Sequence, residues 1–326
     1  MNSRAGPKAP LRPECTPTAG SVQHEWEHAP SHLGEPVVET QFATELTLSG
    51  LRRLCAVPTD PELVKWGSRD LNYALYVGMY SYSSGLERLC KLAIACNEYA
   101  TTGEFPKLRA YSHRIGALLD AVEALTTPTT GPGPSEREAK YLVRPVEGLD
   151  PDLMGTVERF ASGAGRYEHL DILWNDDAEV NTYKEWSALA ARASVSEEVR
   201  RLISLKSAMA HAIGSELADD GLESTARTVM EDLELPMYEP SVGVVLSMFR
   251  KVRWVSTILN VATYYTGKDL PILGQVVSPT FIHTSADFFK YHIARISDDD
   301  VVEEELGEVF ERINAREAED DEEDSD

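Results

Sequence analysis

Between Arg69 and Thr102 the chain reads RDLNYALYVGMYSYSSGLERLCKLAIACNEYATT, with no proline. Nothing in that stretch stops a helix, and at 1.5 Å per residue the helix is roughly 50 Å long. Leu71, Leu75, Tyr82, Leu86, Leu89, Ala93 and Cys96 recur mostly at spacings of three and four, which draws one apolar stripe along a single face. Gly78 and Gly85 interrupt the stripe, so the helix is expected to bend there or to let another helix cross closely. An element of this length demands that others pack around it. The expected fold is therefore all-α: a multi-helix bundle around a long central helix.

The flanking sequence supplies the other helices. Residues 38–57 form an amphipathic segment with Phe42, Leu46, Leu51 and Leu54. Asp60 is placed to cap a short helix that has Pro61 at its first position and holds Leu63 and Trp66. The central helix is expected to end at Gly103. Pro106 turns the chain back, and KLRAYSHRIGALLDAVEAL reads as one helix antiparallel to the central one. Residues 126–137 hold three prolines and two glycines, either a domain boundary or a surface loop. Asp150 and Pro151 open a helix through Leu153, Val157 and Phe160, closed by Gly163 and Gly165. Arg166 to Asp177 shows no helical period. Further helices are expected from Asn181 to Ala193, from a capping box at Ser194 and Glu197 to Leu217, over Leu222 to Leu233, and from Val242 to Tyr265. A short one covers 285–296, and an exposed one within 300–318 uses Val301, Leu306, Val309, Phe310 and Ile313. No alternating strand pattern occurs. The expected domain layout is a disordered arm over 1–36, a helical domain over 37–297 with a conceivable division near 126–137, and an acidic tail over 298–326.

The formal charge is −23, and the segment from Asp298 to Asp326 carries 16 acids against two arginines. No Lys/Arg-rich run suggests an extended nucleic-acid surface, and the acidic balance argues against an anionic membrane. The most apolar segment, VGVVLSMFRKVRWVSTILNVA, is broken by Arg250, Lys251 and Arg253, so no membrane span is expected. Four cysteines occur without a CxxC. Cys55, Cys90 and Cys96 read as buried thiols, and Cys90 and Cys96 stand too far apart on one helix for a disulfide. Together with the lack of a secretory h-region this points to a cytoplasmic protein. His24, His28 and His32 recur every four residues, but Pro30 and the sparse apolar content favour a loose arm over a metal site. No metal and no cofactor is expected.

No Walker A, GxGxxG, HExxH or GxSxG motif is present. Three local groups remain. Glu87 and Lys91 are an i,i+4 pair in the favourable order on apolar surface, expected as a buried polar network. Arg109, His113 and Arg114 form the second, with His113 as a candidate base. Arg166, Tyr167, His169 and Asp171 form the third, just after two glycines.

The pattern YSYSSGLERLCKLAI…GEFPKLRAYSHRIGALLD, followed by RYEHLDIL, resembles the HEPN-like helical proteins, many of them linked to bacterial toxin–antitoxin and antiphage modules. The likeness covers residues 69 to about 120 and, loosely, 160–174, and rests on Gly85, Glu87, Lys91, Phe105, Pro106 and His113. It implies an all-helical fold and, for ribonuclease members, an arginine and a histidine with four to six residues between them. Here Arg109 and His113 leave only three, and a lysine at the right distance does not replace a guanidinium. Two functions follow as expectations. One is a helical recognition or scaffold protein of a prokaryotic defence or stress module, with a protein partner or as a homodimer. The other is a metal-independent ribonuclease or nucleotide-modifying enzyme using His113, Arg109, Arg166 and His169, with RNA as partner. Under either one, Glu87, Lys91, His113 and Arg166 are expected to converge.

Overall fold

The computed structural model describes residues 34–59, 61–127, 130, 133–174, 181–219, 221–225, 239–267, 270 and 273–282, with Gly307 and Glu311. Every regular element among these residues is helical. The helices are α1 (Gly34–Cys55), α2 (Pro61–Thr102), α3 (Ile115–Glu123), α4 (Glu136–Lys140), α5 (Asp150–Ser162), α6 (Ala164–Trp174), α7 (Thr182–Arg192), α8 (Glu197–Asp219), α9 (Glu239–Tyr264) and α10 (Gly274–Val277). A 3-10 turn at Leu108–Tyr111 precedes α3, and a π turn at Ser278–Ile282 follows α10.

The long helix is the centre of the bundle, packed by α1, α3, α5 and α9. It also swallows the short helix expected at Pro61. Proline at the first position lacks only an N–H that has no helical partner there, and Gly67 costs about 1 kcal/mol without ending a helix. The α1–α2 interface is the largest, and glycines permit it. A Cβ on Gly50 would stand 2.5 Å from the Tyr82 backbone N, and one on Gly85 would stand 2.7 Å from the Thr47 backbone N. The two backbones therefore touch, as the glycine interruptions of α2 led one to expect.

The second half of the core is α9, buried on nearly every side from Ser241 to Ala262. Its two inward cations have partners. Lys251 bonds Asp150 at the start of α5, and Arg253 donates Nε to the Phe281 carbonyl at 2.8 Å while lying over the rings of Tyr141 and Phe249. Among the described residues no helix is long and apolar enough to cross a membrane. Buried residues on both sides of the proline-rich loop belong to one hydrophobic cluster. The loop itself is tied down by Thr127 Oγ1 donating to Asn97 Oδ1 at 2.7 Å and by the Thr130 N–H to the Tyr265 carbonyl at 2.6 Å.

Four further expectations change. The helix expected over 107–125 is broken: Ser112 sits at φ 50°, and α3 starts only at Ile115. The stretch from Arg166 is helical as far as Trp174. Its period was illegible because the helix is inverted: Glu168 is buried and bonds Thr182, while Tyr167, Leu170, Leu173 and Trp174 face outward. Gly165 lies in the first turn of that helix instead of ending α5, and a Cβ there would lie 2.6 Å from the Phe160 ring. The cap of α8 is Ser196, whose hydroxyl accepts from the Val199 N–H; Ser194 lies two residues upstream. The histidines of the arm, Asp60, most of Leu222 to Leu233, 285–296, and all of 300–318 except Gly307 and Glu311 lie outside the described residues.

Candidate functional site

Ser84, Glu87, Arg88 and Lys91 follow at spacings of three and four on α2, so they share one face. The chain that leaves α2 is folded back onto this face. Gly103, at φ 84°, closes the helix with its N–H on the Tyr99 carbonyl at 2.8 Å. Phe105 then stacks on Tyr99, centroids 4.5 Å apart. The turn at Leu108–Tyr111 and the left-handed φ of Ser112 bring His113 against Glu87, 26 residues away in sequence. A non-glycine residue in that region costs about 1–3 kcal/mol, offset by the bond from His113 to Glu87 and the packing of Leu108 on the core.

The result is a cleft of about 480 Å³ lined by Glu87, Lys91, His113 and Arg166, with Glu39, Tyr80, Ser84, Arg88, Leu92, Ala95 and Leu108. All four residues expected to converge do so. At its floor Glu87 is nearly buried and both of its oxygens are engaged. Lys91 Nζ donates to Oε1 at 2.6 Å, and His113 Nδ1 lies 3.0 Å from Oε2. Burial pushes the Glu87 carboxyl up, but the hydrogen bonds from Lys91 and His113, with their charges, outweigh it and hold it below its ordinary value. Glu87 is therefore a carboxylate near neutral pH, an acceptor only. The proton between Glu87 and His113 then belongs to Nδ1, which leaves Nε2 as the second functional nitrogen of the ring. The His113 side chain is 57% exposed, open to a visitor.

Arg166 reaches the cleft and also caps a neighbouring helix. Its Nε donates to the Phe160 carbonyl at 2.6 Å and one terminal nitrogen to the Ala161 carbonyl at 3.2 Å. It thus closes the C-terminal end of α5, where carbonyls lack helical partners. Its guanidinium lies 4.5 Å over the Tyr80 ring. Two of its five N–H donors are used on the Phe160 and Ala161 carbonyls, and both terminal nitrogens keep an N–H for another acceptor. Arg109 is exposed on the 3-10 turn and is not on the cleft wall. His169 falls on α6, and its side chain lies outside the described residues. The opposite wall is a second ion pair, Arg88 to Glu39 of α1, with Arg88 4.8 Å over the Phe42 ring. Arg88 was legible in sequence as the neighbour of Glu87 on the shared face. Glu39, 49 residues upstream, had no signal. Among the described residues no group of three or more His, Cys, Asp or Glu side chains is gathered for a metal.

Comparison with protein-family models, with curated proteins and with solved structures gave no match.

Proposed function

We propose that this chain is a helical recognition protein that holds an anionic group of a protein partner in the cleft on α2, as a component of a prokaryotic defence or stress module. The observation behind this reading is the double engagement of Glu87. One carboxylate positions Lys91 and His113 together. Lys91 keeps two N–H groups beyond the one on Glu87, and Nε2 of His113 is a donor when the ring is protonated and an acceptor when it is not. The two carboxylates of the cleft, Glu87 and Glu39, each already hold a cation, so the open valences are mainly those of donors. A carboxylate or phosphate on the partner is the complementary group. The defence setting rests on the likeness of residues 69–120 to HEPN-like proteins.

The test is copurification from the native host. Wild type retains a partner; Lys91→Ala and His113→Ala lose it while their melting temperatures stay within about 2–4 °C of wild type, as expected for losing under 1 kcal/mol. A wild-type protein that elutes monodisperse with no partner and no second copy of itself ends this reading.

One observation favours a second reading, a metal-independent ribonuclease or nucleotide-modifying enzyme. A histidine with Nδ1 on a carboxylate presents a basic Nε2 to substrate. RNA cleavage in the presence of a chelator, lost in His113→Ala, is the expected result. Arg109, the arginine nearest His113 in the upstream sequence, is off the wall, and it leaves only three residues between them rather than four to six, which makes recognition the better-supported function.

A further inference from the structure

The cleft holds more donors than one carboxylate uses. Lys91 gives one N–H to Glu87, Arg88 gives one to Glu39, and Arg166 gives two to the carbonyls of Phe160 and Ala161. An ammonium has three N–H groups and a guanidinium five. Lys91 therefore keeps two, Arg166 three and Arg88 four. A carboxylate offers two oxygens and a single charge. A phosphate monoester offers three oxygens and a charge of about −1.5 to −2 at pH 7.

Charge separates these two ligands. Three cations, Lys91, Arg88 and Arg166, line the cleft against two carboxylates, Glu87 and Glu39. With His113 neutral, the balance is one positive charge, which a carboxylate cancels. A phosphate dianion leaves one negative charge over, and His113 can supply the cation that meets it. Its Nδ1 hydrogen lies toward Glu87, so the neutral ring presents a lone pair at Nε2, which repels an oxyanion. One proton from solvent forms an N–H at Nε2 and turns that nitrogen into a donor. The bond to Glu87 survives, because both nitrogens of an imidazolium donate. The charged groups around His113 come from every wall: Glu87, Arg88 and Lys91 of α2, Glu39 of α1 and Arg166 of α6. Among these residue types, histidine is the one whose charge ordinarily changes between pH 5 and 8.

We infer that the group held in the cleft is the phosphate dianion of a phosphorylated hydroxyl side chain on the partner, bound by Lys91, Arg88 and Arg166 together with one proton taken up at Nε2 of His113. This inference rests on the recognition reading above and names its ligand. Recognition then weakens as pH rises, because the proton that joins the phosphate becomes harder to obtain.

The experiment titrates the full chain by calorimetry with three probes: N-acetyl-phosphoserine methylamide, its glutamate counterpart and adenosine 5′-monophosphate. At pH 6.5 the phosphoserine probe binds wild type at least tenfold more tightly than the glutamate probe does. Its affinity falls at least tenfold between pH 6.5 and 8.5, and buffers of different ionisation enthalpy reveal proton uptake on binding at pH 7.5. In His113→Gln both the fall and the uptake vanish. A histidine with only a structural role would leave them in place. Lys91→Gln weakens the phosphoserine probe at every pH. Equal affinity for phosphoserine and glutamate probes overturns the inference. So does a pH slope that persists in His113→Gln, or tighter binding of the mononucleotide than of phosphoserine. In lysate of the native host, a protein phosphatase releases the partner from wild type. A partner that survives phosphatase but is lost in Lys91→Ala overturns the phosphate and leaves recognition standing. No partner in any lysate, with the phosphoserine probe still bound and its pH slope intact, ends the recognition reading and supports the phosphate site alone.

Discussion

Replacing Glu87 by alanine removes the acceptor of two hydrogen bonds at once. For a truly buried pair the loss would be about 3–5 kcal/mol. The structure lowers that figure, because Lys91 is 25% exposed and His113 57% exposed. Water can satisfy both donors once Glu87 is gone. The expected loss is about 1–3 kcal/mol, read by urea denaturation. His113→Ala removes one partly exposed bond and should cost under about 1 kcal/mol. The Glu87 carboxyl is held below its ordinary value, so its contribution is full above the unfolded value of about 4.3 and is lost as pH falls through the lower folded value. The stability difference between wild type and Glu87→Gln should shrink as pH falls below about 4.3. A difference that instead widened over that range would contradict the hydrogen-bond pattern of the cleft.

At the scale of elements, the α1–α2 crossing is the joint that sets the position of the cleft, since Glu39 comes from one helix and Arg88 from the other. Gly50→Ala would press a methyl against the backbone of Tyr82, and backbone cannot rotate away. A cost of about 1–3 kcal/mol is expected, together with a weakened Arg88–Glu39 pair. Calorimetry gives the first. A crystal structure or cross-link between α1 and α2 gives the second. Helix existence was legible here because a helix declares itself locally, through period, proline and capping residues. The broken helix before Ile115 was not. Its lysine, arginine and serine are all tolerated in a helix, and only the packing of Leu108 and the bond from His113 to Glu87 favour the turn.

For the whole molecule, α9 and α5 are joined by Lys251, whose side chain is 1% exposed beside Asp150. Lys251→Ala leaves the carboxylate of Asp150 without its cation and opens a void, so a loss of about 3–5 kcal/mol is expected. Unfolding should remain one transition, because residues from all the large helices share one core. The three described thiols report on the same core. Cys55, Cys90 and Cys96 are buried, and burial pushes each thiol up, Cys96 to about 12. A thiol reagent followed by peptide mapping should leave all three unlabelled in the native protein and label them after denaturation. Labelling of Cys90 in the native state would mean that α2 is not covered as described.

By itself the sequence determined that the chain is helical, that α2 is its centre, and that Glu87 and Lys91 face one another. Each of these follows from spacing within a few turns, where the 3.6-residue repeat converts order in the chain into position in space. It also determined that His113 and Arg166 had reason to approach Glu87, because a buried carboxylate needs cations. Only the tertiary structure decided what each of them does there. His113 meets Glu87 through a strained turn and keeps a nitrogen open. Arg166 uses two of its five N–H donors on the carbonyls that end α5, and Glu39 arrives from another helix with no local trace. The inverted face of α6 was equally hidden. A buried Glu168 and an exposed Trp174 contradict the hydrophobic period, and they hold because the bonds from Thr182 to Glu168 are made across elements, where spacing along the chain carries no information.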